Sequence, residues 1–296
     1  VKTLVPCGFK IIRLENFSKQ ECIEKAKEAD YFLVSGRLQI DEDIINAAPN
    51  LKMIQRTGVG TDTLDLAYIK AKKIPFFVNQ GVNANAVAEH TILLILATLR
   101  KLTLCHDNTT NGIWTKNEHG LKTNSLEGKT IGLIGLGKIG VRVAELLQPF
   151  KVNVLYNQPN KIDSENEKKL NLTYTDLQSL SREADILSIH CPLNNDTRGL
   201  FDRSIFSLMK PSSIIINTAR GQIINEQDLI EALEKEIIAA AGLDVFDSEP
   251  LNINSPLSKL KNVICTSHIS GITRESYTHL MQNAIDNIYH FENKAK

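Results

Sequence analysis

Thr130-Ile131-Gly132-Leu133-Ile134-Gly135-Leu136-Gly137-Lys138-Ile139-Gly140 decides the fold of this chain. The first five residues are a short apolar run that predicts a buried strand. Gly135 to Gly140 then spells G-x-G-x-x-G. Val141 to Leu147 follows with helical apolar spacing at Val143, Leu146 and Leu147, and Val152 to Tyr156 predicts a second strand. A glycine pattern alone is weak, but strand, turn, helix and strand in one βαβ unit make it specific for a dinucleotide pyrophosphate. Gly135 permits the tight turn, Gly137 lets a phosphate approach the backbone, and Gly140 lets helix and strand pack closely. The helix N-terminus supplies N–H groups and partial positive charge.

The same alternation extends in both directions. Downstream, strands are predicted at 186–190, 213–217, 237–242 and 263–266, and a closing helix at 274–291. Upstream, they are predicted at 31–34, 51–55 and 74–78, with helices at 41–47 and 63–72. Strands alternating with helices predict an α/β fold with parallel sheets. Asn85 reads as the N-cap of a long helix, 86–100, apolar nearly all round and therefore buried on several sides. The polar stretch 107–127 holds Trp114 and reads as a crossing between domains.

The 296 residues suit about two domains. Thirty-four basic residues balance thirty-four acidic ones. That balance lacks the cationic excess of a phosphate-neutralising protein and speaks against nucleic acid as a partner. The most apolar run, Ile92 to Ala97, is too short to cross a bilayer, so no membrane partner is expected. No secretory h-region is seen, and the missing initial Met suggests a trimmed or incomplete N-terminus. Cys7, Cys22, Cys105, Cys191 and Cys265 are scattered, which predicts free thiols, no metal site, no disulfide framework, and a cytoplasmic location.

Three segments fall at predicted C-terminal strand ends, where open α/β sheets bind ligands. They are Asn217-Thr218-Ala219-Arg220-Gly221, Gly242 to Pro250, and Cys265 to Gly271. Together they supply Arg220, Glu249 and His268. An arginine grips a carboxylate bidentately. A histidine exchanges a proton with a keto or hydroxyl oxygen near neutral pH. A glutamate holds the imidazole and favours its protonated form. The trio suits a 2-hydroxy or 2-keto acid beside a nicotinamide that carries hydride. Each residue also has a plain structural role open to it, as a surface arginine, a loop carboxylate or a partly buried histidine.

With these residues in place, the chain resembles the D-isomer-specific 2-hydroxyacid dehydrogenase family, which includes D-3-phosphoglycerate dehydrogenases and glyoxylate/hydroxypyruvate reductases. The matching pieces are Gly58 to Asp62, Asn83 to Arg100, Gly135 to Gly140, His190 to Leu193, Asn217 to Gly221, Gly242 to Pro250 and His268 to Gly271. The resemblance implies two Rossmann- or flavodoxin-like domains around a cleft. Residues 1–98 with 270–296 would form the substrate domain, and 99–269 the NAD(P)-binding domain. It implies Arg220 as substrate anchor, His268 as acid/base and Glu249 as its partner. It implies cofactor contacts from Gly135, Gly137, Lys138, Ile139, Gly140, Asn157, Cys191, Pro192, Thr218, Ala219, Arg220, His268 and Gly271, with Asp244 at the carboxamide. Val59 and Gly60 would offer N–H groups to the substrate carboxylate, and the apolar helix would form much of a homodimer interface.

Some residues depart from the family pattern. Asn157 stands where NAD-dependent members carry Asp. It has no charge to repel a 2′-phosphate, so NADP stays open beside NAD. Ser267 precedes the histidine where Pro is usual, and Glu236 and Ala240 occupy positions often glycine. Arg56 can reach a distal phosphate, which favours D-3-phosphoglycerate, with glyoxylate or hydroxypyruvate as the alternative. An NAD(H)-sensing, corepressor-like binding protein is the alternative from another class; the intact Arg220, Glu249 and His268 speak against it.

Overall fold

The computed structural model describes residue 5 and residues 8–294, so Cys7 lies outside it. Its contacts divide the chain into two units, one running to Asn83 and resuming at Thr273, the other Ala84–Ile272.

The first unit is built on a parallel sheet of three strands, β1 (Tyr31–Val34), β2 (Met53–Arg56) and β3 (Phe76–Phe77), in that order. Helices Lys19–Ala26, Glu42–Asn46 and Leu66–Ala71 start at Ser18, Asp41 and Asp65. Each of these side chains accepts the N–H three residues on, stabilising a helix end that lacks intrahelical partners. Phe32, Ile40, Ile44, Ile45, Ile54 and Ile69 form the core between helices and sheet. The closing helix Arg274–Lys294 packs on β2. Asn79 Nδ2 donates to Leu280 O at 2.8 Å, and Asn287 Nδ2 to Gln55 Oε1 at 3.1 Å.

The second unit is a seven-stranded, all-parallel sheet. Its strands are β4 (Thr130–Ile134), β5 (Asn153–Asn157), β6 (Leu172–Tyr174), β7 (Ile186–Ile189), β8 (Ile214–Asn217), β9 (Ala240–Leu243) and β10 (Val263–Cys265). The order is β10-β9-β8-β7-β4-β5-β6. From β4 the chain steps outward to β6, then returns beside β4 and steps the other way. The order therefore reverses between β4 and β7, the place where doubly wound sheets open a crevice at their C-terminal ends. One core holds Leu180, Leu187, Phe201, Phe206 and Leu233; another holds Leu94, Ile95, Leu133, Val143, Leu147 and Tyr156. Parallel strands covered on both faces need such continuous apolar runs.

The unit boundaries differ from those expected at 98/99 and 269/270. Ten of the sixteen residues of helix Ala84–Leu99 are buried, and it packs on helix Lys138–Leu147 and on β8, β9 and β10. Its apolar surface therefore belongs to the second unit. At the other end the Ser270 N–H bonds Asp244 and holds that turn to β9. Asn85 is not the cap; it sits in the helix's first turn, where its Oδ1 accepts from Arg142 Nε at 2.8 Å. The expected crossing at 107–127 begins inside a short helix, Leu102–Thr110, and contains another, Lys116–Gly120.

Candidate active site

The glycine turn joins β4 to helix Lys138–Leu147. Gly135 has φ +94°, and a Cβ there would come within 2.9 Å of the Cys191 backbone nitrogen. A Cβ on Gly140 would meet Gly135 O at 2.1 Å. Both positions therefore require glycine for close packing. Gly137 differs: a Cβ there meets no atom within 4 Å. Gly137 is also the helix's N-cap, and no side chain caps that end. An open space over an uncapped helix start is what a pyrophosphate needs. Ile139 packs partly buried on the core, while Lys138 is exposed.

Asn157 ends β5 next to this turn, in register with Ile134. Its backbone O accepts from Gly135 N at 2.9 Å, and its Nδ2 donates to Thr175 O at 2.8 Å. Gln158, which sequence reasoning missed, reaches across: its Oε1 accepts from Leu136 N at 2.9 Å. One amide of the turn is thus already taken by protein. A polar residue one step past the ribose position was the signal available for it.

Because every strand is parallel, the C-terminal ends of β4, β8, β9 and β10 share one edge of the sheet. Arg220, Glu249 and His268 lie in the segments leaving β8, β9 and β10. His268 Nδ1 is 2.7 Å from Glu249 Oε2, and Glu249 Oε1 accepts from Phe246 N at 3.1 Å. The glutamate is thereby oriented by backbone and orients the imidazole. Its bond uses Nδ1, not Nε2. Burial pushes the Glu249 carboxyl upward, but the His268 hydrogen bond and charge, the Phe246 N–H and the Arg220 charge outweigh it and hold the pKa below the ordinary carboxylate value. Glu249 is therefore anionic at neutral pH. Arg220 leaves a turn pinned by buried Asn217, whose Nδ2 donates to Arg220 O at 2.9 Å and whose Oδ1 accepts from Ala219 N at 3.0 Å. Thr218 is buried, with its hydroxyl 3.1 Å from that of Thr91.

Cys191 and Pro192 follow β7. Burial pushes the Cys191 thiol up to about 11, so it is a neutral wall rather than a nucleophile. Burial takes His190 the other way, down to about 4, with Ser188 Oγ 2.8 Å from its Nε2. His190 is thus a neutral packing residue under Gly140 and no second acid. Asp244, expected at the carboxamide, follows β9. Its side chain is wholly buried, and its oxygens are occupied by Thr266, Ile269 and Ser270. Gly271 lies just beyond this turn, in the same unit.

Arg56, Val59 and Gly60 lie in the first unit. Arg56 is 3% exposed, and its guanidinium donates to Ser35 O and, at 3.0 Å, to Thr63 Oγ1. Val59 is exposed in the turn after β2. Among the described residues no group of His, Cys, Asp and Glu is arranged to hold a metal, and Cys22, Cys105, Cys191 and Cys265 are free.

A family model described as "D-isomer specific 2-hydroxyacid dehydrogenase, NAD binding domain" matches residues 92–270. The chain belongs to the D-isomer-specific 2-hydroxyacid dehydrogenase family. A glyoxylate reductase of Aeropyrum pernix is 38% identical over 276 residues, covering 91% of this dehydrogenase and 82% of the relative. A D-3-phosphoglycerate dehydrogenase of Archaeoglobus fulgidus is 34% identical over 91% of this chain but only 50% of its own length. The crystal structure of a D-lactate dehydrogenase from Aquifex aeolicus, complexed with NAD and lactic acid, superposes with a TM-score of 0.85 at 28% identity, covering 92% of this chain and 85% of that one. The dehydrogenase is accordingly an NAD-dependent oxidoreductase acting on a CH–OH group, and the glycine turn fits the cofactor.

Proposed function

We propose that this dehydrogenase reduces a short, unphosphorylated 2-keto acid of the glyoxylate or hydroxypyruvate class to the D-2-hydroxy acid. The observation that carries the reading is the 2.7 Å contact between His268 Nδ1 and Glu249, at the strand edge that also bears Arg220 and the glycine turn. NAD, when bound, exchanges the hydride. Arg220 grips the substrate carboxylate. His268 gives its Nε2 proton to the keto oxygen, or takes one from the hydroxyl in the reverse direction, and anionic Glu249 steadies the imidazolium. Gly135, Gly137, Lys138, Ile139 and Gly140 hold the pyrophosphate, Asn157 the ribose, and Cys191, Pro192, Thr218, Ala219 and Gly271 the remaining walls.

The substrate class follows from Arg56. Its guanidinium is buried on Ser35 and Thr63 of its own unit, which withdraws the cation that would select a distal phosphate. The long coverage of a glyoxylate reductase supports the same choice. A homodimer is part of this reading, supported by exposed Leu93, Leu102, Ile113, Trp114 and Leu121 in one stretch of chain. So is a cytoplasmic location, supported by the free thiols.

A keto-acid panel followed by NADH absorbance tests the substrate. Glyoxylate or hydroxypyruvate is expected to exceed 3-phosphohydroxypyruvate in kcat/KM by about tenfold or more; the reverse order restores the phosphorylated substrate. His268→Ala is expected to lower kcat on the order of a hundred- to ten-thousandfold. Wild-type turnover in that variant removes His268 from the chemistry.

A further inference from the structure

We propose that Thr266 and His90 are positioning residues for the reaction, acting through Asp244 on the turn that presents His268. This rests on the reading of His268 as the acid/base group. Asp244 follows β9 and is wholly buried. A buried carboxylate is tolerated only where donors surround it. Here the donors come from the turn after β10. Asp244 Oδ1 is 2.5 Å from Thr266 Oγ1 and 3.0 Å from Ile269 N, and Oδ2 is 2.8 Å from Ser270 N. The Asp244 backbone O accepts from His268 N at 2.8 Å. The turn from 266 to 270 is thus wrapped around one side chain, with His268 at its apex.

His268 has φ +55°, in the left-handed region that a residue with a Cβ seldom enters. The surrounding hydrogen bonds hold the backbone there. Hydrogen-bond direction extends the network. An ionised carboxylate only accepts, so Thr266 must spend its single hydroxyl hydrogen on Asp244. His90 Nε2, 3.0 Å from the same oxygen, is then the donor to it. The chain runs His90 Nε2–H to Thr266 Oγ1, and Thr266 O–H to Asp244 Oδ1. His90 Nε2 is also 3.7 Å from Asp244 Oδ1. His90 stands on helix Ala84–Leu99, so the turn is anchored to an element that packs on β8, β9 and β10. Glu249 fixes the ring of His268, and Asp244 with its two helpers fixes the backbone beneath it.

Thr266→Val keeps the side chain's shape and deletes the hydroxyl. In keto-acid reduction, kcat is expected to fall on the order of ten- to a hundredfold, because small displacements of a reacting group have effects of that size. The NADH KM, and the NADH Kd read from nicotinamide fluorescence, are expected to stay within about twofold of wild type. Thr266→Ser returns the hydroxyl and is expected to recover most of kcat. His90→Leu is expected to cost about three- to tenfold in kcat, His90→Gln less, and the Thr266→Val/His90→Leu pair no more than Thr266→Val alone, as members of one chain are non-additive. Unchanged kcat in Thr266→Val overturns the proposal, as does a loss of NADH affinity in step with kcat, or a serine variant no better than valine. Should Thr266→Val fail to fold, the two His90 variants decide by the same split of kcat from KM. His268→Ala is measured alongside. Full activity there sinks the catalytic reading, whereas an inactive His268→Ala beside a fully active Thr266→Val sinks only the positioning network.

Discussion

An amide and a carboxylate of nearly equal size behave oppositely toward a phosphate. Asn157 donates through Nδ2 to Thr175 O. An aspartate there has no hydrogen to give that carbonyl, and its charge repels a 2′-phosphate. Asn157→Asp is therefore expected to raise the ratio of kcat/KM for NADH over NADPH by about tenfold, read from paired absorbance assays. An unchanged ratio would show that Asn157 does not face the ribose. Arg220, Glu249 and His268 were legible in the sequence because each is a charged or titratable side chain just past a strand, where parallel sheets bind ligands. Gln158, His90 and Thr266 were not, because their work is a relation between distant points of the chain, and a residue type alone does not name its partner. The surroundings of Arg56 were hidden for a related reason. An arginine reads as exposed, yet Ser35 and Thr63 satisfy it inside the fold.

At the scale of elements, Asp185 ties three strands together at their N-terminal ends. Its Oδ2 accepts from Thr130 N at 2.9 Å and its Oδ1 from Lys210 Nζ at 2.9 Å. Its backbone bonds Thr130 O at 2.8 Å and Ile214 N at 3.0 Å. Burial pushes this carboxyl up, but the Thr130 N–H and the Lys210 ammonium prevail and leave its pKa below the ordinary value. A depressed folded pKa means the stabilisation is complete above the unfolded value, near 4, and disappears as pH falls through the folded one. Asp185→Asn is expected to lose about 1–3 kcal/mol at pH 7. Melting curves of the two proteins should converge below about pH 4; a constant gap would refute the ion-pair account. Every strand but the three-residue β6 was legible as a short apolar run between turn residues. Helices such as Ser164–Leu170 and Leu177–Glu183 were not, since so short a segment shows barely two turns of periodicity. Glu236, where the family often has glycine, sits at φ +54° in the turn after helix Glu226–Glu234. The glycine preference was thus a record of backbone conformation.

For the whole molecule, one unit takes in both the stretch running to Asn83 and the stretch resuming at Thr273, and its bounds follow buried surface rather than motif position. The long apolar helix went with the unit whose strands it covers, a preference that only tertiary contact decides. Beyond that helix, the chain carries an exposed apolar series that includes Leu121 at 87% and Trp114 at 80%. Sedimentation is expected to give twice the 33.0 kDa chain mass. Replacing Trp114 and Leu121 with serine is expected to shift the protein toward the single-chain mass at micromolar concentration. Wild-type sedimentation at the single-chain mass would remove the dimer. Trp114 is also the chain's one tryptophan. All indole emission therefore originates from a single address, outside the catalytic strand ends. A blue shift on concentration reports burial of that address alone, so association can be titrated optically, without labels, while NADH is followed at its own wavelength in the same cuvette.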